Sequence, residues 1–112
     1  MNSEMPVLDR SVLRSSLGDD KELIREVLDL FLDTAPDLVD SLKKASDQGA
    51  LEEVKSSAHS LKGSAGNIGA EALRASMKAV EEACRKSDPN SVRNSVAEAL
   101  KQYRLLTEEL KK

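Results

Sequence analysis

Residues 51–70 read LEEVKSSAHSLKGSAGNIGA, and the spacing of their apolar positions decides the fold. Leu51, Val54, Ala58, Leu61, Ala65 and Ile68 follow one another at intervals of 3, 4, 3, 4 and 3 residues. That period puts all six on one stripe of an α-helix, whereas a strand would alternate every second residue.

The same period recurs on both sides. Downstream, Leu73, Met77, Val80 and Cys84 form one stripe, and Val92, Val96, Ala99, Tyr103, Leu106 and Leu110 form another. Upstream, Ile24, Val27, Leu28, Phe31, Ala35, Leu38, Val39 and Leu42 form a third. Pro36 interrupts that last stripe without changing its phase, so it predicts one kinked rod ending near Asp47 and closed by Gly49. The breaks between segments are Gly66-Asn67-Ile68-Gly69 and Ser87-Asp88-Pro89, where Asp88 suits an N-cap and Pro89 the first helical position. A further short helix is expected over Asp9 to Leu17, stopped by Gly18. Asp19 or Asp20 then caps the next segment, and Asp19 with Glu22 has the spacing of a capping box.

Four long helices with short connections predict an all-α, antiparallel up-down four-helix bundle with a short extra N-terminal helix. Residues 1–7 are expected to be a flexible leader and 8–112 the bundle. Leu23 and Leu30 widen the apolar face of the second helix, and the expected reason is docking of Leu13 and Leu17 from the short helix.

Composition narrows the function. The 112 residues hold one His, one Cys and two aromatic residues, one Tyr and one Phe. One Cys forbids an internal disulfide framework, and one His with one Cys is too few for an all-nitrogen/sulfur zinc site. A metal or hydrolytic enzyme therefore lacks its ligands, and no cofactor is expected. Lys and Arg total 17 against 20 Asp and Glu, for a net charge of −3. With no basic block and almost no stacking aromatics, no nucleic-acid partner is expected. No apolar run approaches a membrane span, and the N-terminus lacks a signal peptide, so a cytoplasmic protein without a membrane partner is expected. A free-standing protein is expected from the Met1 start and the complete bundle, with a domain of a larger kinase as the alternative, and a monomer is expected.

His59 is the one position that can do distinctive chemistry. It lies about 130° from the centre of its helix's apolar stripe and so projects toward solvent or the bundle flank. Taken alone, that describes an ordinary polar surface residue. Its neighbours are less ordinary: Lys62, Gly63 and Gly66 follow on the same side of the helix. A glycine inside a helix costs about 1 kcal/mol relative to alanine, so two on one face call for a reason. Helical side chains lean toward the N-terminus, so a side chain at 63 would cover His59, and Gly63 leaves the ring bare. Lys62 leans the same way and would bring an ammonium to the ring. Lys55 and Ser56 lie one turn earlier, where the imidazole itself leans. An exposed imidazole with a cation beside it and a cleared approach suits a nucleophile that carries an anion, and a phosphoryl group fits.

The run from Ala58 to Ala70, AHSLKGSAGNIGA, resembles the signature of histidine-containing phosphotransfer (HPt) domains: a His, then Lys-Gly three and four residues later, then a Gly-Ala pair opening the next helix. The Phe31 helix with its proline and the Val80-Glu81 helix extend the resemblance from about Asp9 to Leu110. The resemblance implies a four-helix bundle whose exposed mid-helix His59 carries the phosphoryl group, supported by Lys62 and Gly63. It matches Glu81 to a polar residue beside the imidazole, with Lys78 as its neighbour. Ser76 stands where many members carry Cys or another small apolar residue, and the Cys of this chain comes later, at Cys84. Lys55, Ser56 and Gly66 complete the candidate set.

The function so implied is a phosphorelay intermediate exchanging a phosphoryl group between His59 and the aspartate of response-regulator receiver domains, with a hybrid sensor histidine kinase among its partners. It is a phosphocarrier, not an autonomous kinase. The receiver would bring the phospho-aspartate and the metal ion. The alternative is a phosphorylation-independent adaptor that binds a receiver or kinase as a scaffold.

Overall fold

The computed structural model describes residues 5–112. Five helices follow in order: α1 (Arg10–Leu17), α2 (Lys21–Gln48), α3 (Leu51–Ile68), α4 (Glu71–Lys86) and α5 (Pro89–Leu110). Helices α2 to α5 form the antiparallel up-down bundle, and α1 lies over one end, against α3 and α2. Within the bundle α3 packs on both α2 and α4, α4 packs on α5, and α5 closes more sparsely onto α2. No helix among the described residues is long and apolar enough to cross a membrane.

The stripes become the core. Val54, Ala58, Leu61 and Ala65 of α3 are fully buried, as are Leu42 of α2, Met77 and Val80 of α4, and Ala99 and Leu106 of α5. Full burial of such a leucine or methionine is worth about 1.5–3 kcal/mol. The alanines of α3 let its neighbours on both sides approach closely. Phe31 and Tyr103, the only aromatic residues, meet across the α2–α5 seam with ring centroids 6.5 Å apart.

Helix α2 runs unbroken through Pro36, so the single-rod reading holds. Pro36 is exposed, which leaves the carbonyl deprived of its donor open to water. Two hairpins use the same turn. Gly49 ends α2 and Gly69 ends α3, both in the left-handed conformation. The amides of Ala50 and Ala70 return to the carbonyls of Ala45 and Ala65, each at 2.9 Å, which closes a Schellman motif. At the third connection Asp88 caps α5 by accepting from the amide of Asn90, and Pro89 begins the helix.

Three expectations need correction or completion. The cap of α2 is Asp20, whose side chain accepts from the amide of Leu23, so the Asp19–Glu22 capping box is not used. Leu23 and Leu30 do not dock α1. Leu30 is 61% exposed and Leu23 39%, while Leu13 seals beside Ile24 and Leu28 on the other flank of α2. The flexible leader lies outside the described residues over 1–4. From Pro6 onward the chain is tied down: Pro6 accepts from the amide of Ala72, Val7 packs on the core, and the Asp9 amide donates to Gly69 at 2.7 Å.

Candidate phosphoryl-transfer site

The site is built on the α3–α4 hairpin. Ala70 is its pivot, and His59 and Glu81 each lie eleven residues from it. Eleven residues is three helical turns, so an antiparallel hairpin brings the two side by side. On α3 the helical period carries His59 off the buried stripe between Ala58 and Leu61, and its side chain is 73% exposed. On α4 Glu81 directly follows the buried Val80 and borders the seam facing α3. Its side chain is only 10% exposed.

Glu81 is the hub. Oε2 lies 3.0 Å from Nδ1 of His59, and Oε1 lies 2.7 Å from Nζ of Lys62. Burial pushes the Glu81 carboxyl up, but hydrogen bonds from Lys62 and then His59 more than offset this and hold it below its ordinary value. It is therefore a carboxylate at neutral pH. An ionised carboxylate can only accept, so Nδ1 of His59 carries the proton and donates it to Oε2. Nε2, on the opposite edge of this exposed ring, is the nitrogen that the Glu81 hydrogen bond leaves free.

The placement of the remaining candidates is uneven. Gly63 is exposed one turn after His59, and a methyl group there would meet nothing within 4 Å beyond its chain neighbours and its own helix backbone. Lys62 is expected to bring its ammonium to the ring, but that ammonium is held by Glu81. A nearly buried carboxylate demands a counter-charge more strongly than a solvated imidazole does. Lys55 and Ser56 share a shallow surface depression with Glu52, His59, Ser60 and Glu81. Gly66 serves a different neighbour: a Cβ there would come within 3.1 Å of the side-chain stem of Arg74, so the missing methyl makes room for α4. Lys78 is exposed and takes no part in the hydrogen bonds or ion pairs of the site among the described residues. Ser76 turns back on its own helix and donates to the Ala72 carbonyl. Cys84 is buried, and burial pushes its thiol up, so it stays protonated and inert. Residue-level reading undervalued Gly69. A Cβ there would run into the Asp9 carbonyl and touch Val12, so this glycine lets α1 seat against the hairpin.

Comparison with known proteins points the same way as this geometry. The Hpt domain family matches residues 26–112. Among solved structures, histidine-containing phosphotransfer protein B (HptB) from Pseudomonas aeruginosa is 25% identical, with a TM-score of 0.85 over 95% of this chain and 92% of that one. MtHPt2 from Medicago truncatula, 24% identical, has a TM-score of 0.82 over 94% of this chain and 75% of its own. ZmHP2 from maize, 20% identical, has a TM-score of 0.81 over 94% and 80% respectively. These two support the fold alone. No curated protein matches the sequence. With the family matching residues 26–112, which take in most of α2 and all of α3 to α5, the chain belongs to the Hpt domain family and is a phosphorelay intermediate, a phosphocarrier rather than a kinase.

Proposed function

We propose that His59 carries the phosphoryl group on Nε2 and exchanges it with the aspartate of a response-regulator receiver domain. The observation that carries this reading is the hydrogen bond of an exposed imidazole, through Nδ1, to a buried carboxylate. In the forward step the Nε2 lone pair attacks phosphorus and the bond to the aspartyl oxygen breaks, with its electron pair leaving on that oxygen. Nδ1 keeps its proton throughout, so the ring becomes a phospho-imidazolium whose positive charge faces Glu81. In the reverse step the N–P bond breaks, the pair returns to Nε2, and a neutral imidazole is the leaving group. No proton has to move in either direction, which suits a carrier that both accepts and donates. The receiver supplies the aspartate and its metal ion. This chain supplies the nucleophile, the Lys62 cation and a surface.

That surface is the flank shared by α2 and α3. Ser41 of α2 lines a groove with Ser56 and Ser57 of α3. Leu30 lies three turns before Ser41 and so shares its flank, which gives an apolar contact on the same face as the small residues Ser56, Ser60 and Gly63. A receiver docked there meets His59 with nothing in between. Lys55 and Ser56 stand where its rim would lie, a hybrid sensor kinase fits as the upstream source, and a monomer in the cytoplasm suffices.

A pair of substitutions at Gly63 tests the approach. Gly63→Ala adds a methyl in open space and should leave transfer from a phosphorylated receiver within about twofold, since the helix itself gains from alanine. Gly63→Leu places a branched side chain over the ring and should slow transfer by about 100-fold or more, as a displaced near-attack geometry does. Equal rates in the two variants, followed by radiolabel transfer, would remove the steric role of Gly63.

A further inference from the structure

We infer that Glu81 competes with the phosphoryl group for Lys62, and that this competition sets how readily the protein gives its phosphoryl group away. The inference rests on His59 being the phosphorylated residue. Lys62 lies 2.7 Å from a carboxylate whose side chain is only 10% exposed, so in the unphosphorylated protein the lysine is already engaged. Glu81 sits at the Nδ1 edge of the ring. A phosphoryl group on Nε2 grows from the opposite edge. One ammonium thus faces two anions on opposite sides of one imidazole. When Lys62 turns to the phosphoryl oxygens, Glu81 keeps only the Nδ1–H and is left nearly buried without its lysine. When Lys62 stays on Glu81, the phosphoryl dianion goes without that cation. Either arrangement leaves the phosphorylated state less stable than it would be with a lysine not engaged by Glu81. Glu81 therefore has two opposed actions: it stabilises the phospho-imidazolium through Nδ1–H, and it withholds Lys62. The second makes the phosphohistidine a better donor, which a relay intermediate requires.

The two actions separate in a double-mutant cycle read as an equilibrium. Potassium phosphoramidate serves as donor, so no partner protein enters. The N–P bond of the donor breaks, ammonia leaves, and the bond to His59 forms. At a fixed ratio of phosphoramidate to ammonia, intact mass gives the ratio of phosphorylated to free protein for wild type, E81Q, K62M and the double variant. Glutamine keeps the shape and an acceptor for Nδ1–H, and circular dichroism checks that each variant is folded. Competition predicts that E81Q changes this ratio about tenfold more favourably when Lys62 is present than in the K62M background, the size of one charge-assisted hydrogen bond. Equal effects in both backgrounds would overturn the inference, because Lys62 would then serve both states alike. A more harmful E81Q effect with Lys62 present would overturn it too, by making Glu81 a guide that delivers the lysine to the phosphoryl group. A phosphorylated mass in a parallel His59→Gln sample would instead reject the assignment of His59 itself.

Discussion

His59→Gln will take up no phosphoryl group from a phosphorylated receiver while melting within about 2 °C of the wild type. The loss is complete because the chain holds no second imidazole. The only thiol is buried and held protonated, and an amide offers no lone pair of comparable nucleophilicity. The stability is kept because the His59 side chain is 73% exposed and contributes little to the core. Substitutions at such sites usually stay within about 0.5 kcal/mol. Glutamine can also donate its amide to Glu81, so the buried carboxylate keeps a second partner beside Lys62. Thermal melts and radiolabel transfer on the same sample decide the matter. A variant that melts normally and still accepts label would transfer the role to another residue, and one that unfolds would make His59 structural.

Gly69→Ala will destabilise the fold by about 2–5 kcal/mol, and it marks the joint on which the N-terminal helix depends. Two costs add. Gly69 has φ +81°, a left-handed conformation that costs an L-residue about 1–2 kcal/mol. Its new methyl would also strike the Asp9 carbonyl and the Cβ of Val12, and overpacking of this kind costs about 1–3 kcal/mol. For a domain of this size the sum lowers the melting temperature by roughly 10–25 °C. Gly49→Ala is the internal control. Gly49 ends α2 in the same conformation, φ +68°, but a Cβ there meets nothing within 4 Å. It should lose only the conformational part, about 1–2 kcal/mol. If the two variants melt together, the seat of α1 on the hairpin contributes no measurable stability.

The contrast between these glycines also shows what a reader of the sequence can and cannot see. Both Gly-Ala pairs announce a helix end, because the left-handed cap is a local property of the chain. The clash at Gly69 is not local, since it involves a carbonyl sixty residues earlier in sequence. The four long helices were legible because burial on one side imposes a period that Pro36 could not disturb. The choice of Asp20 over Asp19 as cap was not, as adjacent acids differ by a single peptide's rotation. Leu23 and Leu30 were misassigned because an apolar residue on a helix flank looks the same whether it meets another helix or waits for a partner. At the site, His59, Lys62 and Gly63 could be read from one helix. Glu81 came only from resemblance, although equal distance from the Ala70 pivot would have paired it with His59 once the hairpin was recognised. That Lys62 would turn to Glu81 instead of the ring could not be read from spacing. It depends on how deeply the carboxylate is buried.

The central claim is that one imidazole, with its proton fixed at Nδ1 by Glu81, carries the phosphoryl group on Nε2. Phosphorus–proton correlation NMR on the phosphorylated chain tests it most directly. Phosphorus on Nε2 couples to both carbon-bound ring protons of His59, and that pair of couplings is the predicted result. Coupling to a single ring proton would place phosphorus on Nδ1, against the Glu81 hydrogen bond. Phosphorus with no imidazole coupling would contradict the account altogether.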